Sequence, residues 1–112
     1  MAHMVFFSLA DATEAMIKQY EGYCYQYLSG HPGQVHFSVG ARVVDIQRDV
    51  SASDFDVAMH IIFDSRKSYN AYAKSSRHEE FITQTAGLSN GRRVFDTYLA
   101  AKGSVIFLGQ NA

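Results

Sequence analysis

A chain of 112 residues with a formal net charge of −1 has the size of one domain. Ten Lys and Arg stand against eleven Asp and Glu with no basic run, which removes the electrostatic footprint of a nucleic-acid binder. A lone cysteine, Cys24, excludes an internal disulfide and a thiolate metal cluster, and no apolar run approaches the ~18 residues that a membrane span needs.

Residues 1–112 are therefore read as a single domain, with its core at about 3–99 and a tail at 100–112. Nothing in it calls for nucleic acid or membrane as partner, and the cysteine usage suits a reducing, cytoplasmic location. The start, MAHMVFFSLAD, lacks a basic n-region and runs directly into strand-like residues, so it is not read as a signal peptide.

Residues 3–9, HMVFFSL, predict a first strand, apolar on both faces. Asp11 and Thr13 offer N-caps for a helix to about Ser29, with Glu14 three residues after Asp11. Met16, Tyr20, Tyr23 and Tyr27 form its apolar stripe, and Gly30 and Pro32 stop it. Residues 34–45 alternate as a second strand. Val35, Phe37 and Val39 face one way; His36, Ser38 and Arg42 face the other. After a polar, mobile loop, FDVAMHIIFD predicts a third strand with Phe55, Val57, Met59, Ile61 and Phe63 on one face. Ser65 caps a helix to about Lys74 with Tyr69 and Tyr72 inward. Ser76 and Glu79 form a capping box for a further helix from Arg77 to about Ala86. RRVFDTYLA is the last strand, and the SVIFL tail is apolar enough to pair or dock.

The order strand, helix, strand, strand, broken helix, strand is that of an α+β, ferredoxin-like sandwich with a four-stranded antiparallel sheet. Helices cover one sheet face. The other face is apolar too, so the expected remedy is a homodimer packed sheet to sheet into an α/β barrel.

The segments HMVFFSLAD, GHPGQVHFSVG, FDVAMHIIFDS, YAKSSRHEEF and RVFDTY, in this order and spacing, resemble the stress-responsive dimeric α/β-barrel (Dabb) family over about residues 3–99. The resemblance implies a homodimer and a pocket between each sheet and its own helices. One plant member closes and aromatises a linear polyketide without metal or cofactor, using a tyrosine and a histidine. Tyr72 and His78 reproduce that spacing, and His3 falls where the cyclase has a pocket histidine. Two departures stand out: Ser75-Ser76-Arg77-His78 replaces the frequent His-Pro-Ala-His, and Val57 replaces a further pocket histidine.

On this reading Tyr72 and His78 are the candidate catalytic pair. A histidine in the first turn of a helix is held neutral by the dipole and can accept a proton. A phenol can donate to a carbonyl or a developing enolate. The bland alternative packs Tyr72 as core and ties His78 to backbone. His3, Tyr23, Tyr27 and His60 are the candidate substrate-binding residues. For Tyr23 and Tyr27 an amphipathic core position competes, and for His60 a satisfied histidine at the dimer interface. His3, His60 and His78 show no local spacing with a carboxylate, so no metal site is expected. Cys24, among tyrosines, suits a buried inert thiol. Arg92 and Arg93 beside Gly91 suit a solvated turn or an interface ion pair better than an anion site.

The expected function is that of a homodimer with a small apolar pocket, taking a small apolar or aromatic carbonyl ligand. If catalytic, it is a cofactor-free cyclase, lyase or isomerase acting next to a carbonyl. The alternatives are a non-catalytic binding or stress-protective dimer and a cofactor-free monooxygenase. An open cavity touching both Tyr72 and His78 separates the first reading from a packed, non-catalytic interior.

Overall fold

Period-2 alternation decides which side of the sheet becomes the core. In the computed structural model, which describes residues 1–100, β1 (Ala2–Leu9) sends His3, Val5, Phe7 and Leu9 into the interior, and β3 (Val57–Phe63) sends Val57, Met59, Ile61 and Phe63. Each large side chain fully buried there is worth roughly 2 kcal/mol of transfer free energy. The SVIFL tail lies outside the described residues.

The remaining elements are α1 (Glu14–Leu28), β2 (Gln34–Ala41), α2 (Arg66–Ala73), α3 (Ser76–Gln84) and β4 (Ser89–Thr97). The sheet order is β2-β3-β1-β4, and every neighbouring pair is antiparallel. This is the ferredoxin-like α+β fold expected from the element order. Tyr20, Cys24 and Leu28 of α1, Tyr72 of α2 and Phe81 of α3 complete the core on one face of the sheet.

Three local expectations are corrected. Gln34 pairs with Phe63 but His36 pairs with Ile62, so Val35 is the extra residue of a β-bulge. It is 66% exposed, while Phe37 and Val39 pack against the core as expected. Phe55 precedes β3, where strand parity no longer applies. Its ring meets Phe6 at 5.0 Å on the helix-free face, not the core. Thr13 alone caps α1, accepting the Met16 amide, and Asp11 is exposed.

The C-terminus of α1 is unusually well satisfied. A helix end leaves its last four carbonyls without intrahelical donors. Here Ser29 Oγ donates to Tyr25 O at 2.5 Å and a guanidinium nitrogen of Arg77 to Gln26 O at 2.6 Å. His31 Nε2 donates to Tyr27 O at 2.8 Å and Gln34 Nε2 to Leu28 O at 2.7 Å. The Arg77 bond ties α1 to the first turn of α3, and its positive charge suits the helix end.

Gly33 makes the turn that follows possible. Its φ is +84°, and a Cβ there would collide with the Ser68 side chain. Asp64 N donates to Gly33 O at 2.8 Å, locking this turn to the end of β3.

Candidate functional site

One hydroxyl joins the two candidate catalytic residues. Ser75 Oγ donates to the Tyr72 carbonyl at 2.8 Å and accepts the His78 amide at 3.1 Å. It thereby closes the last turn of α2 and caps the first turn of α3. The cap is Ser75 rather than the expected Ser76, so α3 starts one residue earlier and His78 occupies its third position. The Ser-Ser break is therefore helix punctuation that also fixes the backbone of Tyr72 relative to that of His78.

The side chains converge. The rings of Tyr72 and His78 meet edge to face, with centroids 5.1 Å apart. His31 flanks Tyr72 at 4.9 Å and His3 lies 5.9 Å away. Tyr72 is only 2% exposed, and among the described residues its hydroxyl has no hydrogen-bond partner. Burial, with Cys24 and Tyr69 adding to it, pushes the phenol well above its ordinary range, so it stays protonated. Burial also lowers the pKa of His78, with His3, Arg92 and His31 acting in the same direction. Its imidazole is neutral at pH 7 and keeps a lone pair.

His3 and Asp96 form a cross-strand pair on β1 and β4. His3 Nδ1 lies 2.5 Å from Asp96 Oδ1. The carboxylate accepts, so Nδ1 carries the hydrogen of this bond. This bond fixes the ring orientation and leaves Nε2 on the other edge of the ring.

Three of these residues line a cavity of about 390 Å³ between the sheet and the helices. His3, Tyr72 and His78 all face it, with Tyr20, Phe81 and Met59 among its apolar walls. Burial pushes Tyr20 up to about 12, helped by Cys24. Exposed Ile82, Arg92 and Val94 form its outer rim.

Three other candidate residues lie elsewhere. Tyr23 and Tyr27 stack nearly parallel at 6.4 Å on α1, outside the cavity lining, and Tyr23 Oη accepts from Gln19 at 3.3 Å. His60 is on the helix-free sheet face, paired with Met4 and Ser38, its ring 6.3 Å from Phe6. Cys24 is fully buried, and burial, then Glu21, pushes its thiol up to about 12.

His31 and Asp96 were not singled out by sequence. The signal for His31 was a histidine directly before Pro-Gly at a helix end. The signal for Asp96 was its parity with Arg92 and Val94 on the last strand. Burial lowers the pKa of His31 against the opposing pull of the Tyr27 carbonyl, with Arg77 adding to the lowering. Among the described residues no group of His, Cys, Asp and Glu is placed to hold a metal ion, and no helix is long and apolar enough to cross a membrane.

Fold and site define a class: a ferredoxin-like α+β domain with a helix-side cavity that gathers a tyrosine and two histidines. The chain belongs to the stress responsive A/B barrel domain family, whose pattern matches residues 1–99. A Dabb family protein from Mesorhizobium loti has a similar structure, with a TM-score of 0.73 at 18% identity over 89% of this chain and 96% of that one. An Arabidopsis thaliana protein superposes with a TM-score of 0.72 at 17% identity, covering 93% and 98% of the two chains. A dimeric ferredoxin-like protein of unknown function from Thermobifida fusca gives 0.70 at 18% identity, covering 88% and 89%. No curated protein matches the chain.

Proposed function

We propose that the chain is a cytoplasmic homodimer whose cavity removes a proton next to the carbonyl of a small apolar or aromatic ligand, without a cofactor, as a cyclase, lyase or isomerase does. The observation that carries this reading is the Tyr72 hydroxyl, buried in the cavity wall, unpartnered among the described residues and packed against a neutral His78. A buried hydroxyl left without an acceptor costs about 1–3 kcal/mol, so its position calls for a ligand that accepts from it. The open volume favours a ligand-binding role over a packed, non-catalytic interior.

In the proposed step the ligand carbonyl oxygen accepts a hydrogen bond from Tyr72 Oη. The lone pair of His78 takes the proton on the adjacent carbon. The C–H electron pair moves into an enolate, whose growing oxygen charge Tyr72 stabilises. The enolate carbon then attacks a second carbonyl, re-forming the first C=O while the new alkoxide takes the imidazolium proton, or is itself reprotonated by the imidazolium of His78. His3, aligned by Asp96, is the second group able to accept or return a proton.

The homodimer rests on the helix-free face. Phe6 sits between Phe55 at 5.0 Å and Phe95 at 5.6 Å, and Phe95 is 46% exposed. The dimeric state of the Thermobifida fusca structure supports the same assembly.

The test is deuterium exchange at the α-carbons of a panel of small aromatic and aliphatic ketones in D₂O, followed by proton NMR. Wild type accelerates exchange; His78→Ala and Tyr72→Phe lose the acceleration, and Tyr72→Phe does so with no fall in melting temperature. Exchange at the buffer rate across the panel, or undiminished in His78→Ala, would overturn the proposal.

A further inference from the structure

Strand β4 is an edge of the sheet, and its alternation writes one wall of the cavity. Arg92, Val94 and Asp96 pair with Phe7, Val5 and His3, the residues through which β1 faces the helices. Arg92 and Val94 line the cavity, and Asp96, beyond its lining on the same strand face, holds His3. Arg92 and Asp96 are four residues apart, about 13 Å along a strand.

The two neighbouring arginines have different surroundings. Arg93 belongs to the opposite face. Its guanidinium donates to Asp54 Oδ1 at 2.8 Å and lies 5.9 Å from the centre of the Phe95 ring. Arg92 has no carboxylate within ion-pair distance among the described residues, and the carboxylate on its own strand face, Asp96, is engaged by His3. It lines the cavity mouth instead. The sequence favoured a solvated turn or an interface ion pair for both; both lie in β4 instead, and the ion pair of Arg93 is with Asp54 of the same chain. The field of Arg92 reaches inward, where it helps to depress His78 and opposes the rise at Tyr20.

We infer that Arg92 is an anion-recognition residue, so that the ligand of this cavity is an apolar carbonyl compound that also bears a carboxylate. The inference rests on the proposed function of the same cavity and adds the ligand's second group. The apolar body lies along Val94, Phe81 and Met59, the reacting carbonyl reaches Tyr72 and His78, and the carboxylate stays at the rim. A planar guanidinium suits that task, because its fork of N–H donors matches both carboxylate oxygens. Bound there, the carboxylate supplies the charge partner that the described protein does not.

The test compares 4-phenylbutanoate with its neutral amide, 4-phenylbutanamide, by NMR titration of the full chain. The carboxylate binds about tenfold more tightly than the amide, as one charge-assisted contact provides. Arg92→Gln lowers carboxylate affinity to that of the amide and leaves the amide unchanged. Arg48→Gln, an equal loss of charge on the distant β2–β3 loop, keeps the preference. Added salt weakens the carboxylate alone. Equal wild-type affinities, or a preference that survives Arg92→Gln, overturn the inference. If the amide shifts the Tyr72 and His78 resonances without any carboxylate preference, the proposed cavity stands and the anion site falls. If neither compound moves those resonances, both fall.

Discussion

At the scale of single residues, the site depends on which protons are held and which are absent. His31 and His78 both have folded pKa values below the ordinary 6.5, chiefly through burial. The unfolded chain therefore binds protons at a higher pH than the folded one. Stability is full above about 6.5, falls as the pH descends from there to the folded values, and levels off below them. Asp64, whose pKa is lowered by its bonds to Ser68 and Ser65, acts only in a separate window, from its ordinary 3.8 downward. Urea midpoints are expected to fall between pH 7 and 5 and to flatten in a His31→Asn/His78→Gln double variant; a pH-independent wild type would contradict this. The sequence placed His3, Tyr72 and His78 through spacing and resemblance, and the structure gathers those three around one cavity. His31 and Asp96 escaped because each acts through a partner remote in the chain. One touches the ring of Tyr72, and the other depends on the β1–β4 register. Tyr23 and Tyr27 share a helix stripe with Tyr20, but only Tyr20 reaches the cavity wall. Periodicity alone does not say how far round the helix the cavity extends.

At the scale of elements, the Ser75 side chain bridges the break between α2 and α3, beside the backbone bond from Ser75 N to Tyr72 O at 3.1 Å. Ser75→Ala removes the α3 cap and the hydroxyl bond to the Tyr72 carbonyl, leaving the backbone bond from the residue 75 amide. It should lower stability by about 1 kcal/mol in urea unfolding and shift the His78 ring resonances. An unchanged midpoint with unchanged resonances would show that the two helices hold their angle without it. Element order was legible because helical stripes and strand alternation differ in period, and Gly30, Pro32 and Gly87 mark the stops. The details that escaped share one cause. Parity predicts a side chain's face only inside an uninterrupted strand, and Val35 sits on a bulge while Phe55 sits outside β3. Two adjacent serines offer alternative caps, and the one used, Ser75, also bonds back to the Tyr72 carbonyl.

At the scale of the whole molecule, the helix-free face carries the aromatic cluster of Phe6, Phe55 and Phe95. That face belongs to the proposed homodimer, in which a charge on Phe95 would be buried without a partner. Phe95→Glu is expected to give monomers at micromolar concentration in sedimentation velocity, with a melting temperature that no longer depends on concentration. A dimer that persists unchanged would place the interface elsewhere. Two-sided apolar strands made this face visible in the sequence; the way two copies fit together is written in shape, which composition does not record.

The position of Arg92 and Val94 on a rim strand has an evolutionary corollary. Both contribute to the cavity mouth while remaining open to water, so exchanging them disturbs few tightly packed neighbours. A lineage can thus revise the chemical taste of the chamber at two codons and leave the serine latch, the tyrosine and the histidines untouched.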